Sequence, residues 1–247
     1  MNRMSNLSEL EIKQAVKHRY AELAKSKGNC CAPDCCASVE ENESAPQESV
    51  AMGAGCGSPV TLAKLVEGET VLDLGSGGGI DTFRASKIVG PKGRVVGVDA
   101  TPEMIFKARE VAAKYEFGNV EFRLGEIEHM PIQSGSMDVV ISNCVLNLVP
   151  DKKLAFREIY RVLKPNGRIA VSDMVSTAPG PKRKISAQEW AACIAGAIPV
   201  EEYENLLNET GFQNVKHVEE DSPLNETCCR QGFQVKSVGW LAIKPST

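Results

Sequence analysis

The chain is poor in histidine. His18, His129 and His217 are its only three in 247 residues. None stands with cysteine at a zinc-type spacing, so a Cys/His zinc module is excluded. An excess of positive charge is also missing: 28 Lys and Arg stand against 32 Asp and Glu, a net charge of −4. A nucleic-acid partner is therefore not expected. No apolar run approaches the roughly 20 residues of a membrane span, so no membrane partner is expected either. The opening Met1-Asn-Arg-Met-Ser-Asn6 lacks the apolar stretch of a secretory leader. The expected location is cytoplasmic.

What remains is an ordinary globular composition, 43% apolar and 24% charged, enough for a sizeable core. The length suits one large domain with appendages. Cysteine is the exception, with nine residues, an odd number. Thiols in a reducing compartment argue against a disulfide framework and for a soft ligand or redox chemistry.

Leu7 to Lys27 has helical spacing of apolar residues, and Gly28 is a stop signal. Residues 28 to 58 hold Cys30-Cys31, Cys35-Cys36 and an acidic run, with little to build a core; a mobile or ligand-ordered segment is expected. From Val60 strand and helix patterns alternate. Strands are expected at Thr70–Leu74, Arg94–Asp99, Val120–Leu124, Met137–Ser142 and Arg168–Asp173, with helices at Asp81–Val89, Pro102–Lys114 and Lys152–Leu163. Lys164-Pro-Asn-Gly167 reads as a turn. Ala187–Ala197 and Glu201–Thr210 read as helices, and Asn214–Val218 and Phe233–Ile243 as two late strands. The expected fold is α/β, a doubly wound, mostly parallel, Rossmann-like sheet of seven strands. Three regions follow: an N-terminal helix and Cys-rich segment (1–58), a nucleoside-binding core (59–176), and a C-terminal region (177–247) that covers the substrate and carries the last strands.

The chemistry-bearing segment is Val71-Leu-Asp-Leu-Gly-Ser-Gly-Gly-Gly79. A dinucleotide site asks for Gly-x-Gly-x-x-Gly, with its third glycine opening a helix under a pyrophosphate. Here that position is Ile80, and the glycines are Gly75, Gly77 and Gly79. The run suits a nucleoside without phosphates, of which S-adenosylmethionine is the commonest. Asp73 can accept from an ammonium. Asp99 ends the next strand, where an acid takes both ribose hydroxyls. Ala100, Thr101 and Met104 follow it. Gly125, Glu126 and Ile127 come after the third strand, where a side chain and a backbone amide can meet an adenine. Asn143 follows the fourth strand and can close the site near the methionine part.

These segments, with Gly97-Val-Asp-Ala-Thr-Pro-Glu-Met104 and Val139-Val-Ile-Ser-Asn-Cys-Val-Leu-Asn147, resemble the arsenite methyltransferase family of class I methyltransferases. Arg161-Val-Leu-Lys-Pro-Asn-Gly-Arg168 is similar too, but is shared by many class I methyltransferases. The specific marks are Gly55-Cys-Gly-Ser-Pro59, Ser142-Asn-Cys144 and Cys193-Ile-Ala-Gly-Ala197. Similarity is good from about Met52 to Phe212.

The resemblance implies that Cys56, Cys144 and Cys193 hold trivalent arsenic as thiolates, and that the methyl group of S-adenosylmethionine goes to arsenite and methylarsenite in a detoxification reaction. Soft thiolates suit a thiophilic substrate. It also implies a transient protein disulfide, relieved by thioredoxin or glutathione. By position alone, Cys144 reads equally well as a small buried hydrophobe. Cys30, Cys31, Cys35 and Cys36 read as accessory capture thiols or as a labile tail, and Cys228-Cys229 as loop cysteines or a further capture pair. One departure stands out: Arg19-Tyr-Ala-Glu22 replaces a Tyr-Tyr-Gly stretch often found in the family, leaving Tyr20 either as a cover for the cofactor or, more simply, as helix packing. Trp190 reads as a wall of the substrate pocket or, more simply, as a core anchor. Two other functions fit the same motifs: methyl transfer to a quinone or sterol-like carbon acid, and a non-catalytic metalloid-binding protein.

Overall fold

The computed structural model describes residues 7–25, 45–50, 55–220 and 232–246. The six accessory cysteines, at 30, 31, 35, 36, 228 and 229, lie outside the described residues.

Five parallel strands come first: β1 (Thr70–Leu74), β2 (Arg94–Asp99), β3 (Val120–Leu124), β4 (Met137–Asn143) and β5 (Leu163–Ser176). β6 (Gln213–Glu219) and β7 (Val235–Ile243) complete a seven-stranded sheet in the order β3-β2-β1-β4-β5-β7-β6. β7 is antiparallel to both neighbours. The expected fold class is borne out.

The central strands are apolar on both faces, as a sheet covered by helices on each side requires. Period-two alternation sorts them. Val71, Val95, Val139 and Ile141 pack with α3 (Pro59–Ala63) and α4 (Ile80–Val89). Leu72, Leu74, Val96, Val98 and Val140 pack with α6 (Lys152–Val162) and α8 (Val200–Thr210). α5 (Pro102–Lys114) begins with proline in its first turn, where a missing N–H costs nothing.

Three local expectations need correction. The Lys164–Gly167 turn is absorbed into β5, because the Asn166 N–H donates to the Lys244 carbonyl and the Lys244 N–H to the Gly167 carbonyl. The helix expected at Ala187–Ala197 stops at Trp190 (α7, Ala187–Trp190). Its continuation is blocked by Cys193, whose φ of +73° is left-handed. In the described part of the 28–58 segment, Gln47–Val50 forms a short helix, α2, and Cys56 is buried, so this part is ordered by the chain itself.

α1 (Glu9–Lys25) packs against α5 and α7. It thereby bridges from α5 to α7 across the carboxyl ends of the strands.

Candidate active site

A cleft enclosing about 1100 Å³, part of it open to solvent, lies beyond the carboxyl ends of β1, β2 and β4. That is where ligands of such sheets bind. Its floor is the β1–α4 turn. Gly75 and Gly77 have φ of +63° and +50°. A Cβ on Gly77 would project into open space, whereas one on Gly75 would strike Val145. The turn thus keeps bare backbone facing the cleft.

Three carboxylates converge there. Asp73 is buried and accepts a 2.6 Å hydrogen bond from Thr82 Oγ1. Burial, then the neighbouring Asp81, pushes its carboxyl well above the usual range. Asp81 is raised by burial, against a hydrogen bond from Asn143 and the charge of Arg84. Asp99 accepts from the Gly77 N–H at 3.0 Å and the Thr101 N–H at 2.8 Å. Burial raises its carboxyl despite these bonds. Asp81 and Asp99 both raise the Asp73 carboxyl, and three buried acids so placed form a site suited to a cation.

Ala100, Thr101, Met104 and Ile127 line the same cleft, as does Tyr20 from α1. Glu126 lines it too, but its side chain is already engaged. Lys13 Nζ lies 2.8 Å and Lys17 Nζ 2.7 Å from its carboxylate oxygens. These two ammonium groups, Lys13 first, lower the Glu126 carboxyl to about 2. Glu126 therefore fastens α1 over the cleft.

Gly79 and Gly125 do not line the cleft. A Cβ on Gly79 would meet Phe122 and Phe83 at 2.8 Å, and one on Gly125 would meet Pro131 at 2.5 Å. Both glycines serve packing beneath the site.

The cysteines gather at the neighbouring end of β4 and β5. Cys144 leaves β4 with a left-handed φ of +56°. Cys56 is joined to it by a disulfide with Cα atoms 5.9 Å apart, across 88 residues of sequence. Cys193 Sγ donates to the Cys144 carbonyl. Non-glycine residues at positive φ are costly and cluster at functional sites. Two of the three cysteines here have that backbone. Ile12, Met174, Trp190, Ile194 and Phe233 make an apolar cup around them. Trp190 is an anchor as expected: its Nε1–H donates to the Leu148 carbonyl at 3.1 Å.

Asn143 joins the two halves. Its Oδ1 accepts from the Cys56 N–H at 3.0 Å and the Gly57 N–H at 3.3 Å. Its Nδ2 donates to the Gly57 carbonyl and to Asp81, both at 3.0 Å. Asn143 and Cys144 both line the cleft.

The methyltransferase-domain family matches residues 65–211. The arsenite methyltransferase of Halobacterium salinarum is 46% identical over 235 residues, which is 85% of this chain and 60% of that protein. The crystal structure of an arsenic(III) S-adenosylmethionine methyltransferase from Chlamydomonas reinhardtii superposes with a TM-score of 0.65 at 31% identity, covering 86% of this chain and 74% of that one. This chain belongs to the arsenite methyltransferase family. It spans about 60% of the length of the Halobacterium salinarum and Homo sapiens arsenite methyltransferases, the latter 32% identical over 231 residues. The [4+2]-cyclase SpnF, with a TM-score of 0.66 at 16% identity, shares the fold alone.

Within this family member, sequence reasoning missed several site residues. Lys13 and Lys17 fall within the Leu7 to Lys27 helix, whose apolar spacing gives them no role. Asp81 looked like a helix start, although its place just after the glycine run was a usable signal. Asp173 is buried beside the cysteines with nothing in the sequence to announce it: an oxygen of its carboxylate lies within 4.8 Å of the sulfurs of Cys144 and Cys193. Burial raises its carboxyl to about 7, against the pull of Lys152. Lys152 is itself lowered by burial to about 8.

Proposed function

We propose that this chain methylates trivalent arsenic, as arsenite and methylarsenite, using S-adenosylmethionine. The observation that carries the proposal is the meeting of Cys56, Cys144 and Cys193, from three distant segments, at the rim of a cleft built for a cationic nucleoside. The fit to the donor rests on the bare Gly77 backbone and on Asp73, Asp81 and Asp99. When bound, the donor supplies an electrophilic methyl on a sulfonium.

The chain's own residues do the rest by positioning. Asp99 would hold the ribose, Asp73 the ammonium end, and Ile127 and Met104 the base. Reduced Cys56, Cys144 and Cys193 each displace a hydroxyl of arsenite: an As–S bond forms, an As–O bond breaks, and the thiol proton leaves with the hydroxyl as water. Asn143 keeps the Cys56 loop beside the donor site. No general base is required, because arsenic keeps its lone pair. Methylation formally removes two electrons from arsenic. Cys56 and Cys144 can return them by closing their disulfide, and thioredoxin or glutathione would reopen it. The region 177–247 is then the part that brings Cys193 to the substrate.

The test incubates purified chain with S-adenosylmethionine, arsenite and thiol, and resolves arsenic species by chromatography. Methylated arsenic should form, and should vanish in Cys144→Ser and Cys193→Ser proteins that still bind the donor. Unimpaired arsenic methylation by both variants would overturn the trithiolate reading. Methyl transfer to an organic acceptor with no response to arsenite would overturn the substrate.

A further inference from the structure

Asp173 has no task in the reaction just described. It sits in the interior of β5 and is fully buried. Its Oδ1 accepts the Met174 N–H at 3.1 Å. Its Oδ2 has no hydrogen-bond partner among the described residues. A buried carboxylate oxygen left without a partner costs free energy and calls for an explanation. A carboxylate oxygen of Asp173 and the sulfurs of Cys144 and Cys193 all lie within 4.8 Å of one another.

We infer that Cys144, Cys193 and Asp173 form a second kind of binding site, for a divalent thiophilic cation of the zinc class. The inference rests on the same reduced cysteines as the arsenite reading, but adds an oxygen donor that arsenic does not need. Tetrahedral zinc holds thiolate sulfurs at about 2.3 Å and carboxylate oxygen at about 2.0–2.2 Å, which sets the donors roughly 3.5–3.8 Å apart. A small inward shift of the side chains meets that geometry. Reduced Cys56, or a water, supplies the fourth position.

Charge separates the two ligands. Trivalent arsenic on three thiolates is already neutral and leaves no demand for a carboxylate. Two thiolates and a carboxylate, with the Lys152 ammonium acting on both Asp173 and Cys193, leave a double negative charge for a divalent ion to neutralise. Zinc and arsenite therefore compete for Cys144 and Cys193, and Asp173 favours zinc. Zinc binding at the reduced site would hold the enzyme idle until arsenic displaces the metal.

The test is a Zn²⁺ titration of the reduced full chain against a chromophoric chelator, with wild type, Asp173→Asn, Cys144→Ser and the double variant. One zinc equivalent should weaken about tenfold or more in Asp173→Asn, by analogy with losses of metal-supporting groups. The same equivalent should be missing in Cys144→Ser, and the double variant should lose nothing further. This non-additivity separates the site from zinc held by other cysteines. Arsenite binding, measured on the same samples, should persist in Asp173→Asn; loss of arsenite binding in wild type would instead defeat the arsenic reading. Asp173→Cys, which replaces one ligand atom by another, should recover the zinc equivalent. Wild-type zinc affinity in Asp173→Asn, additive losses in the double variant, or a folded Asp173→Cys that binds no zinc would each overturn the inference.

Discussion

Asn143 accepts the backbone N–H of Cys56 at 3.0 Å, so the last residue of β4 holds the loop that carries Cys56. The same amide donates to Asp81 in the carboxylate cluster of the cleft. One side chain thus ties the Cys56 loop to the acids of the cleft.

Replacing it should separate binding from turnover. Asn143→Ala removes hydrogen bonds worth roughly 1–3 kcal/mol where the partners are buried. Arsenite-dependent turnover should fall about ten- to hundredfold, while S-adenosylmethionine affinity, measured by calorimetry, changes less. Equal losses in kcat and in donor affinity would show that Asn143 serves the donor alone.

The β1–α4 turn offers a cleaner dissection. A Cβ at Gly77 meets nothing within 4 Å, so Gly77→Ala should leave the protein folded, at a cost of about 1–2 kcal/mol for its positive φ. The added methyl enters the cleft. Donor binding should drop at least tenfold with only a small change in Tm. Wild-type donor affinity in Gly77→Ala would place the donor elsewhere.

Glu126 makes a pH prediction. Its folded-state carboxyl is lowered to about 2 from 4.5 by Lys13 and Lys17. The contact contributes in full above about pH 4.5 and is lost as pH falls through 2. The pairs are partly solvated, so each is worth below about 1 kcal/mol. Thermal melts of wild type and Glu126→Gln should differ at pH 5 and coincide near pH 2. At pH 7, amides of α1 should exchange faster in Glu126→Gln.

Asp173 predicts the opposite slope. Burial raises its folded carboxyl to about 7 from 3.8. Between those values the folded chain keeps a proton that the unfolded chain has lost, so this group's contribution to stability falls as pH rises. Asp173→Asn should flatten that part of the Tm–pH curve. An unchanged slope between pH 4 and 7 would show that Asp173 does not titrate there.

The disulfide can be checked directly. Non-reducing peptide mapping of the oxidised protein should return Cys56 linked to Cys144, and reduction should restore arsenite binding. Cys56 linked instead to another cysteine would revise the redox pair.

The alternation of strand and helix, the seven strands and the glycine run were all legible in the sequence, because buried parallel strands and tight turns each demand particular side chains locally. Asp73, Asp99 and the Ala100–Met104 segment were legible for the same reason: their spacing from β1 and β2 fixes their end of the sheet. The shortened α7 was not legible, since Ala187–Ala197 has good helical composition and only the pull of Cys193 into its left-handed conformation ends the helix. Gly79 and Gly125 were read as ligand contacts, but their neighbours Phe122 and Pro131 are known only once the strands are stacked.

The sequence by itself determined the doubly wound sheet and the glycine-floored cleft at its carboxyl edge. Both follow from short-range periodicity and turn chemistry. Only the tertiary structure decided that Cys56, Cys144 and Cys193 meet, that Asp173 stands behind them, and that Lys13 and Lys17 close on Glu126. Those contacts join segments dozens of residues apart, and no local pattern encodes them. They arise because packing both faces of one sheet leaves a single edge where a loop, a strand end and the turn after α7 must share space.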